Sequence, residues 1–542
     1  MRTFSASDNN PVADTRTVAG ELAEYLDRRS QRRRLLPLAM LVGLLAGICT
    51  TLFRWMLSVG DSTRTTLIEW SHQQPFVGWL IPVLWTVSGA TLAVCLMHRY
   101  APEASGSGIP HIEAVLHRLR DLRWQRIIPV KLIGGTLAIG GGLTLGREGP
   151  SVQIGGAIGG GVADLLHSRP RERLTLIAAG SGAGLAAAFN APLSGLIFVL
   201  EELQRDFRPT VFGAAFVAAV VANVFTRFFT GQLPVFTVPD HPIQPLSTLP
   251  VFALLGIGCG LAGMVFNNVL MRTLAYTDRL RHRQKLFYAA IVGAVVALVG
   301  WWMPDVIGGG HHLTEQVLLG QIGLTFIPVL LLIRFTLTMS SYATGAPGGI
   351  FAPLLVLGGL IGYGVGATAH HIAPAFVPDP TVFGVVGMAA LFTAIVRAPL
   401  TGIVLIAEMT GNYNQLLPLL IACFLAYVVT EVFRDRPIYE ALLRRDLQRT
   451  KNEHQLDEPV VREFTVAPGA PFAGKTIREL GLPPGCIIVR CRDGNREWVA
   501  TAYTRLEPHM HLTVLVAPTA VHGISILEKG CSAAEISVSE MT

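Results

Sequence analysis

The sequence has 542 residues, of which 51% are hydrophobic and only 15% are charged. Its mean hydropathy is +0.48. These values exclude an ordinary soluble globular protein and indicate a polytopic membrane protein. The formal net charge of +6 comes largely from basic clusters that flank apolar segments, which is typical of positive-inside topology rather than of nucleic-acid binding.

The N-terminal region, residues 1–34, is predicted to be a cytoplasmic polar tail followed by an amphipathic helix at the membrane surface. We expect no cleavable signal, because the first apolar helix, from about Leu35, is long and follows an arginine run. Both termini are predicted to be cytoplasmic in a multi-pass plasma-membrane protein, which would lie in the inner membrane of a bacterium.

Residues 35–445 are predicted to form the membrane domain. Between Arg147 and Glu202 the sequence breaks into glycine-rich pieces, so half-helices that meet inside the protein are expected there rather than full spans. Charge-free stretches long enough to cross the roughly 30 Å hydrocarbon layer occur at 76–97, 286–303, 316–333, 335–378 and 409–430.

The membrane domain contains an internal duplication. Six glycine, proline and isoleucine positions within 146–159 recur 203 residues later. The segment APLSG at 191–195 returns as APLTG at 398–402. Two ordered matches at nearly one offset predict two repeats, near 35–230 and 250–440.

After Arg449 the composition becomes charged and alternating, which predicts a small soluble α+β domain at 461–518. The tail at 524–542 shows no convincing pattern. The strand candidates are 463–466, 486–489 and 512–516.

Cysteine and histidine give no pattern for a disulfide framework or a metal centre. The seven cysteines include no CxxC pair, and His311-His312 and His370-His371 lack the helical spacing of metal ligands. We therefore expect no metal and no cofactor. A membrane-embedded enzyme would require a cluster of His, Asp or Cys facing a cavity, which the sequence does not suggest.

Three segments containing glycine and proline predict an anion site. Helix N-termini and neutral hydroxyls hold an anion firmly enough to remove its water and loosely enough to release it. GSGIP at 106–110 places a hydroxyl just ahead of a helix start, and GGIFAP at 348–353 offers backbone N–H groups. GREGP at 146–150 is the duplicated counterpart, and its Arg and Glu are ionisable residues at membrane depth, which mark transport sites.

These segments, in this order and with FNAPLSG at 189–195, resemble the signature of the CLC chloride channel and transporter family. The resemblance covers about 35–445. It implies an all-α membrane fold, an inverted repeat of tilted and broken helices, and a homodimer with one anion pathway per subunit. Residues 461–518 resemble the TrkA-C module of potassium-uptake and potassium-channel regulators, which implies an unidentified small-molecule regulator.

The resemblance also implies the chloride ligands. The hydroxyls of Ser107 and Tyr439 and the backbone N–H groups of Ile350 and Phe351 correspond to the family's ligands at the central site. Two alternatives remain open at this point. Ser107 could serve only as a helix cap, and Phe351 and Tyr439 could be core aromatic residues.

Two glutamates correspond to the family's proton-handling residues. Glu148 corresponds to the gating, proton-accepting carboxylate, and the amides of the flanking Arg147 and Gly149 would line the outer anion site. Glu202 corresponds to the internal proton relay of the exchangers. The alternatives are a plain salt bridge between Glu148 and Arg147, and a solvated Glu202 at a helix end.

Exchange of chloride for protons is the expected function. A carboxylate and a chloride ion about 4 Å apart repel by about 4 kcal/mol at an effective dielectric constant of about 20, so protonation of Glu148 favours anion uptake. The alternative is a passive voltage- or pH-gated chloride channel of the same family, which usually lacks an acid at the inner position. Ser107 favours chloride, with bromide and nitrate as lesser substrates.

Overall fold

The structure is a computed structural model that describes residues 12–74, 76–236, 238, 242–450, 460–494, 496–517, 520 and 522–532. The chain divides into two compact units, Met1–Arg444 and Arg445–Thr542. Up to residue 450 the described chain is helical, as the composition predicts. The helices are α1 (Val12–His72), α2 (Leu80–Tyr100), α3 (Ile109–Leu116), α4 (Trp124–Gly135), α5 (Glu148–Leu165), α6 (Pro170–Phe189), α7 (Pro192–Phe198), α8 (Pro209–Thr230), α9 (Leu249–Asp278), α10 (His282–Trp302), α11 (His311–Leu318), α12 (Ile327–Ala343), α13 (Phe351–Ile372), α14 (Thr381–Val396), α15 (Pro399–Thr410), α16 (Leu416–Val432) and α17 (Ile438–Thr450).

Among the described residues, seven helices are long and apolar enough to cross a membrane. The predicted charge-free stretch 335–378 is broken at 344–350, where Gly345 has a φ of 76° and the chain passes from α12 to α13. The absence of charged residues shows that a segment is compatible with lipid, but it does not show where the helix ends. Helix α12 also contains Arg334, which is fully buried. The spans are Arg34–His72, Leu80–Tyr100, Pro209–Thr230, Leu246–Asp278, His282–Trp302, Leu324–Ala343 and Phe351–Ile372.

Helix α1 continues for 61 residues, with Pro37 inside it. The expected separate surface helix is therefore part of the same helix as the first span. A proline is tolerated in a membrane helix because neighbouring groups satisfy the freed carbonyl. The side chains at 18–26, on which the predicted amphipathic face depends, lie outside the described residues.

Of the half-helices predicted between Arg147 and Glu202, only α7 is short, with 7 residues, whereas α5 and α6 are continuous helices of 18 and 20 residues, close to the length of a membrane span. Helices α5 and α6 are buried along most of their length, and neither is among the candidate spans. The short α7 passes into a π-helical turn at Val199–Leu203. Broken backbone of this kind is stable at membrane depth only where it is buried in protein or lines a cavity.

Reciprocal contacts join the two halves and confirm the duplication. Gly146 and Gly349, which are counterparts in the sequence repeat, form an isolated antiparallel bridge. Each N–H donates to the other's carbonyl at 2.7 Å. A contact in which each partner makes the same bond to the other is what a two-fold relation between the repeats produces.

A second reciprocal contact joins α7 and α15. Glu408 accepts from the backbone N–H of Ser194 at 2.8 Å, and Glu201 accepts from the N–H of Thr401 at 2.7 Å. The hydroxyls of Ser194 and Thr401 donate to the same carboxylates at 2.6 and 2.7 Å. Each carboxylate therefore caps the N-terminus of the other repeat's helix, where unpaired N–H groups favour a negative charge.

The second unit is a four-stranded antiparallel sheet with strand order β1-β4-β2-β3. Three strands coincide with the predicted ones, whereas β3 was not predicted because its four residues are all exposed and lack apolar alternation. The strands are β1 (Val460–Thr465), β2 (Cys486–Asp493), β3 (Arg496–Val499) and β4 (His511–Val516).

The sequence predicts no regular structure in the tail at 524–542, and this prediction is wrong for its first residues. Helix α18 (His522–Cys531) occupies that region, with Leu527 and Cys531 in the core of the second unit. Burial raises the pKa of the Cys531 thiol to about 11. A helix of ten residues is marginal by itself, so its contacts with the core of the second unit stabilise it.

The reciprocal caps lead to a stability prediction. We expect Glu408→Ala to lower the free energy of unfolding by about 1–2 kcal/mol, because the first N–H groups of α7 lose their acceptor. Glu201→Ala should cost a similar amount, since it removes the matching cap of α15. Thermal unfolding in detergent measures both, and an unchanged midpoint in either variant would contradict the capping role.

Candidate functional site

The loop before α3 presents the Ser107 side chain. Gly106 and Gly108 have φ angles of 60° and 83°, in the left-handed region that glycine adopts without strain. Ser107 is 1% exposed, and its hydroxyl accepts from the N–H of Ile109 at 3.3 Å. The buried ammonium of Lys131 donates to the carbonyl of Gly106 at 2.7 Å. The hydroxyl therefore accepts from the first N–H of α3, whose N-cap residue is Gly108. The loop is held in place from behind by the Lys131 ammonium, which bonds to the Gly106 carbonyl.

The N-terminus of α5 meets this loop. A Cβ on Gly149 would lie 2.7 Å from the Cβ of Ser107, and a Cβ on Gly349 would lie 3.3 Å from the nitrogen of Gly149. Only glycine permits such close approach of three backbone segments. The structure therefore brings together the GSGIP, GREGP and GGIFAP segments that the sequence placed far apart.

Glu148 begins α5 and is 3% exposed. Its Oε2 accepts from the N–H of Ala352, the second residue of α13, at 3.3 Å. Its Oε1 is 4.0 Å from Nε of Arg147, which is too long for a hydrogen bond. The carboxylate thus occupies the N-terminus of α13, which is where a helix attracts an anion.

Aromatic residues surround the start of α13. The Phe351 ring packs against Phe189 and Phe392, with centroids 5.1 and 4.6 Å away. Its side chain is therefore a core aromatic, while its N–H belongs to the first turn of α13, where N–H groups have no partner within the helix. Ile350 caps the same helix and is fully buried.

Tyr439 is fully buried near the start of α17. Its hydroxyl has no hydrogen-bond partner among the described residues. A buried hydroxyl donor without a protein partner costs free energy. We therefore expect the Tyr439 hydroxyl to bind a ligand, whereas a tyrosine with only a packing role would have its hydroxyl bonded within the protein.

Glu202 lies in the π-helical turn after α7 and is 3% exposed, so the solvated alternative does not hold. Its Oε1 has no hydrogen-bond partner among the described residues. Arg205, at 4.0 Å from Glu202, also lies 3.7 Å from Glu113 and 3.8 Å from Glu440. One arginine therefore faces three carboxylates.

Sequence reasoning missed this surrounding cluster. Glu113 is 4% exposed and lies on α3, six residues beyond Ser107. The one available signal is an acidic residue in a short helix that is apolar apart from His111. Arg205 has a φ of 50° and Glu440 is on α17, so only the fold brings them to Glu202.

A cavity of about 750 Å³ reaches Glu148 from one side. Helix α1, the loop before α11 and the ends of α5 and α6 contribute to its wall. Charged side chains at membrane depth and a water-sized cavity beside them fit an ion pathway. The wall includes Arg54, Arg64, Arg147, Asn190, Asp305 and His311.

These features define a helical membrane protein whose two inverted halves bring broken helices together at a buried acidic residue. Residues 89–431 match the voltage gated chloride channel family. The chain belongs to this family, which is the CLC family that the sequence motifs resembled. Residues 461–525 match the TrkA-C domain.

Curated relatives match most of the chain. The H(+)/Cl(-) exchange transporter ClcA of Vibrio parahaemolyticus is 40% identical over 441 residues, covering 80% of this chain and 94% of the relative. ClcA of Salmonella paratyphi A is 37% identical over 456 residues, covering 81% and 96%. The crystal structure of a slow cyanobacterial Cl⁻/H⁺ antiporter is similar with a TM-score of 0.75 and 34% identity, covering 78% of this chain and 99% of that one.

The contact between Gly149 and Ser107 leads to a prediction. Gly149→Ala should weaken binding of a probe halide about tenfold, because the added methyl group pushes the Ser107 loop away and overpacking costs about 1–3 kcal/mol. Isothermal titration with bromide measures this. Gly258→Ala is the control, since a Cβ there has no atom within 4 Å, and equal affinities in the two variants would contradict the prediction.

Proposed function

We propose that the protein is a secondary active transporter that exchanges chloride for protons, with Glu148 as the gate. The observation that carries the proposal is the position of the Glu148 carboxylate, which accepts a hydrogen bond from the N-terminus of α13 at 3.3 Å. A carboxylate at a helix N-terminus stands where an anion would bind. The names of the relatives support the same activity.

The coupling of chloride to protons follows from competition for one place. The ionised Glu148 and a chloride ion repel each other in a buried site, so only one occupies the N-terminus of α13. Protonation removes the charge of the carboxylate and weakens its bond to the Ala352 N–H. The side chain then leaves and chloride enters, so a proton is taken up as an anion binds.

The chloride ligands in this proposal are the hydroxyls of Ser107 and Tyr439 and the N–H groups of Ile350 and Phe351. The amides of Arg147 and Gly149 would line the outer anion site. The unpartnered Tyr439 hydroxyl supports this assignment. No buried cation needs to touch the ion, because helix N-termini and hydroxyls bind it with moderate strength.

We further propose that Glu202 passes protons between Glu148 and the cytosol. Its burial and its unpartnered Oε1 support this role. The nearby Arg205 and Glu113 give the proton a polar surrounding at the inner end. A passive channel of the same family has no need of a buried acid at this position.

The remaining parts of the proposal concern assembly and setting. We place both termini in the cytosol, in a bacterial inner membrane, so that the Glu148 cavity opens outward. A homodimer, and bromide and nitrate as further anions, follow from the family resemblance alone. The protein acts as a transporter, and we assign it no enzymatic step.

Residues 461–518 are proposed to bind a small-molecule regulator. The support is a separate hydrophobic core in the second unit, which allows this unit to respond to a ligand as a body of its own. The chemical class of that ligand stays open.

The first test replaces the gate. In liposomes, Glu148→Gln should carry chloride with no proton coupling, because the amide neither ionises nor titrates. An imposed chloride gradient should then fail to move protons uphill, whereas the unmodified protein should do so. Proton pumping that survives this substitution would refute the gate assignment.

The second test separates exchanger from channel. Glu202→Gln should leave chloride flux in place and abolish uphill proton movement, because only the relay is removed. The matched control is Glu408→Gln, whose carboxylate caps α7 and should leave coupling intact. If the unmodified protein shows chloride flux without proton movement, it is a passive channel.

A further inference from the structure

The loop before α11 is the repeat counterpart of the Ser107 loop. Gly308 and Gly310 have φ angles of 65° and 78°, like Gly106 and Gly108, which lie 202 residues earlier. Helices α3 and α11 each have eight residues and begin directly after the second glycine. Gly309 therefore stands where the first repeat has Ser107.

A buried cation stands behind each loop. Lys131 and Arg334, which are 203 residues apart, are both fully buried. Lys131 donates to the carbonyl of Gly106 at 2.7 Å, and Arg334 donates through Nη1 to the carbonyl of Val306 at 2.7 Å. The second repeat thus reproduces the construction of the first, with a guanidinium in place of the ammonium.

The guanidinium of Arg334 lacks compensation. Its Nε and Nη2 have no hydrogen-bond partner, and no carboxylate lies within 4 Å of it in the described part of the chain. A Cβ on Gly310 would lie 2.5 Å from Nη2, so the guanidinium packs directly against the loop. A buried guanidinium without a counter-charge is strongly unfavourable unless an anion is present.

Arg64 faces the same loop from the cavity side. Its side chain is 7% exposed and its Nη2 contacts Asp61 at 2.5 Å, whereas Nε and Nη1 have no partner among the described residues. A Cβ on Gly308 would lie 2.9 Å from Nη1. Arg64 lines the Glu148 cavity together with Gly309 and Gly310, so its unpartnered N–H groups lie at the cavity wall.

We propose that Arg64 and the Gly308–Gly310 loop, here called the arginine pocket, form an additional binding site for a small monovalent anion, with the buried Arg334 contributing its charge from behind the loop. The backbone N–H groups at the start of α11 complete the site, as those of α3 would at Ser107. The occupant is the same halide that the transport site takes, and in this the inference rests on the proposed function. The pocket holds the ion in the cavity next to Glu148 and raises its local concentration there.

Gly309 offers a direct test, because a Cβ at this position has no atom within 4 Å. Gly309→Asp places a carboxylate on this loop at the cavity wall, which Arg64 also lines, and should displace the anion, whereas Gly309→Asn has the same shape without the charge. We expect a bromide-soaked crystal of the unmodified protein to show anomalous density beside the Arg64 guanidinium. Gly309→Asn should retain this density and Gly309→Asp should lose it.

Transport gives a second readout in liposomes. Gly309→Asp should raise the chloride concentration needed for half-maximal exchange from the cavity side by about tenfold or more relative to Gly309→Asn. The ratio of chloride to protons should stay the same in both, because neither variant alters Glu148 or Glu202.

Two results would overturn the inference. One is bromide density at Ser107 with none at the arginine pocket in the same crystal, and the other is equal half-maximal concentrations in the Asp and Asn variants. Either result leaves the proposed function standing. Absence of bromide at Ser107 as well, together with chloride-independent proton movement, would count against the proposed function itself.

Discussion

The site depends on the bridge between Gly146 and Gly349. Its two hydrogen bonds, each 2.7 Å long, fix the distance between α5 and α13 at their N-termini. Those N-termini carry partial positive charge, and holding them together creates a place for one anion without a formal cation. The Glu148 carboxylate, the Ser107 loop and the proposed competition with chloride all follow from this junction.

The same principle, binding an anion without a cation in direct contact, explains where the buried cations lie. Lys131 and Arg334 stand behind their loops and bond to carbonyls rather than to the central site. A cation in direct contact would hold an anion too tightly for turnover, whereas a cation one layer away contributes favourable potential. The two repeats differ in the residue between the two glycines of this loop. It is Ser107 in the first repeat and Gly309, beside Arg64, in the second.

Glycines and prolines made much of the site predictable. GSGIP, GREGP and GGIFAP are short, specific and in a fixed order, so the sequence alone indicates Ser107, Glu148 and Phe351 as site residues. The sequence offset of 203 residues also pairs Gly146 with Gly349, which bond to each other in the structure. By contrast, the sequence does not single out the correspondence between 106–108 and 308–310, because GSG and GGG share only two glycines and their common left-handed backbone is a property of the fold.

Hydropathy and glycine spacing are local properties, so the amino-acid sequence was enough to predict a membrane location, duplicated halves and the segments that build the candidate site. The break in the charge-free stretch at 335–378, the place of α18 in the second unit and the approach of Arg205 to three carboxylates appear only in the fold. These depend on contacts between residues distant in the chain, whose energies no local pattern reports. The sequence also left open whether Glu202 is exposed at a helix end. The structure shows that it is buried, because the exposure of a side chain depends on the residues that pack over it.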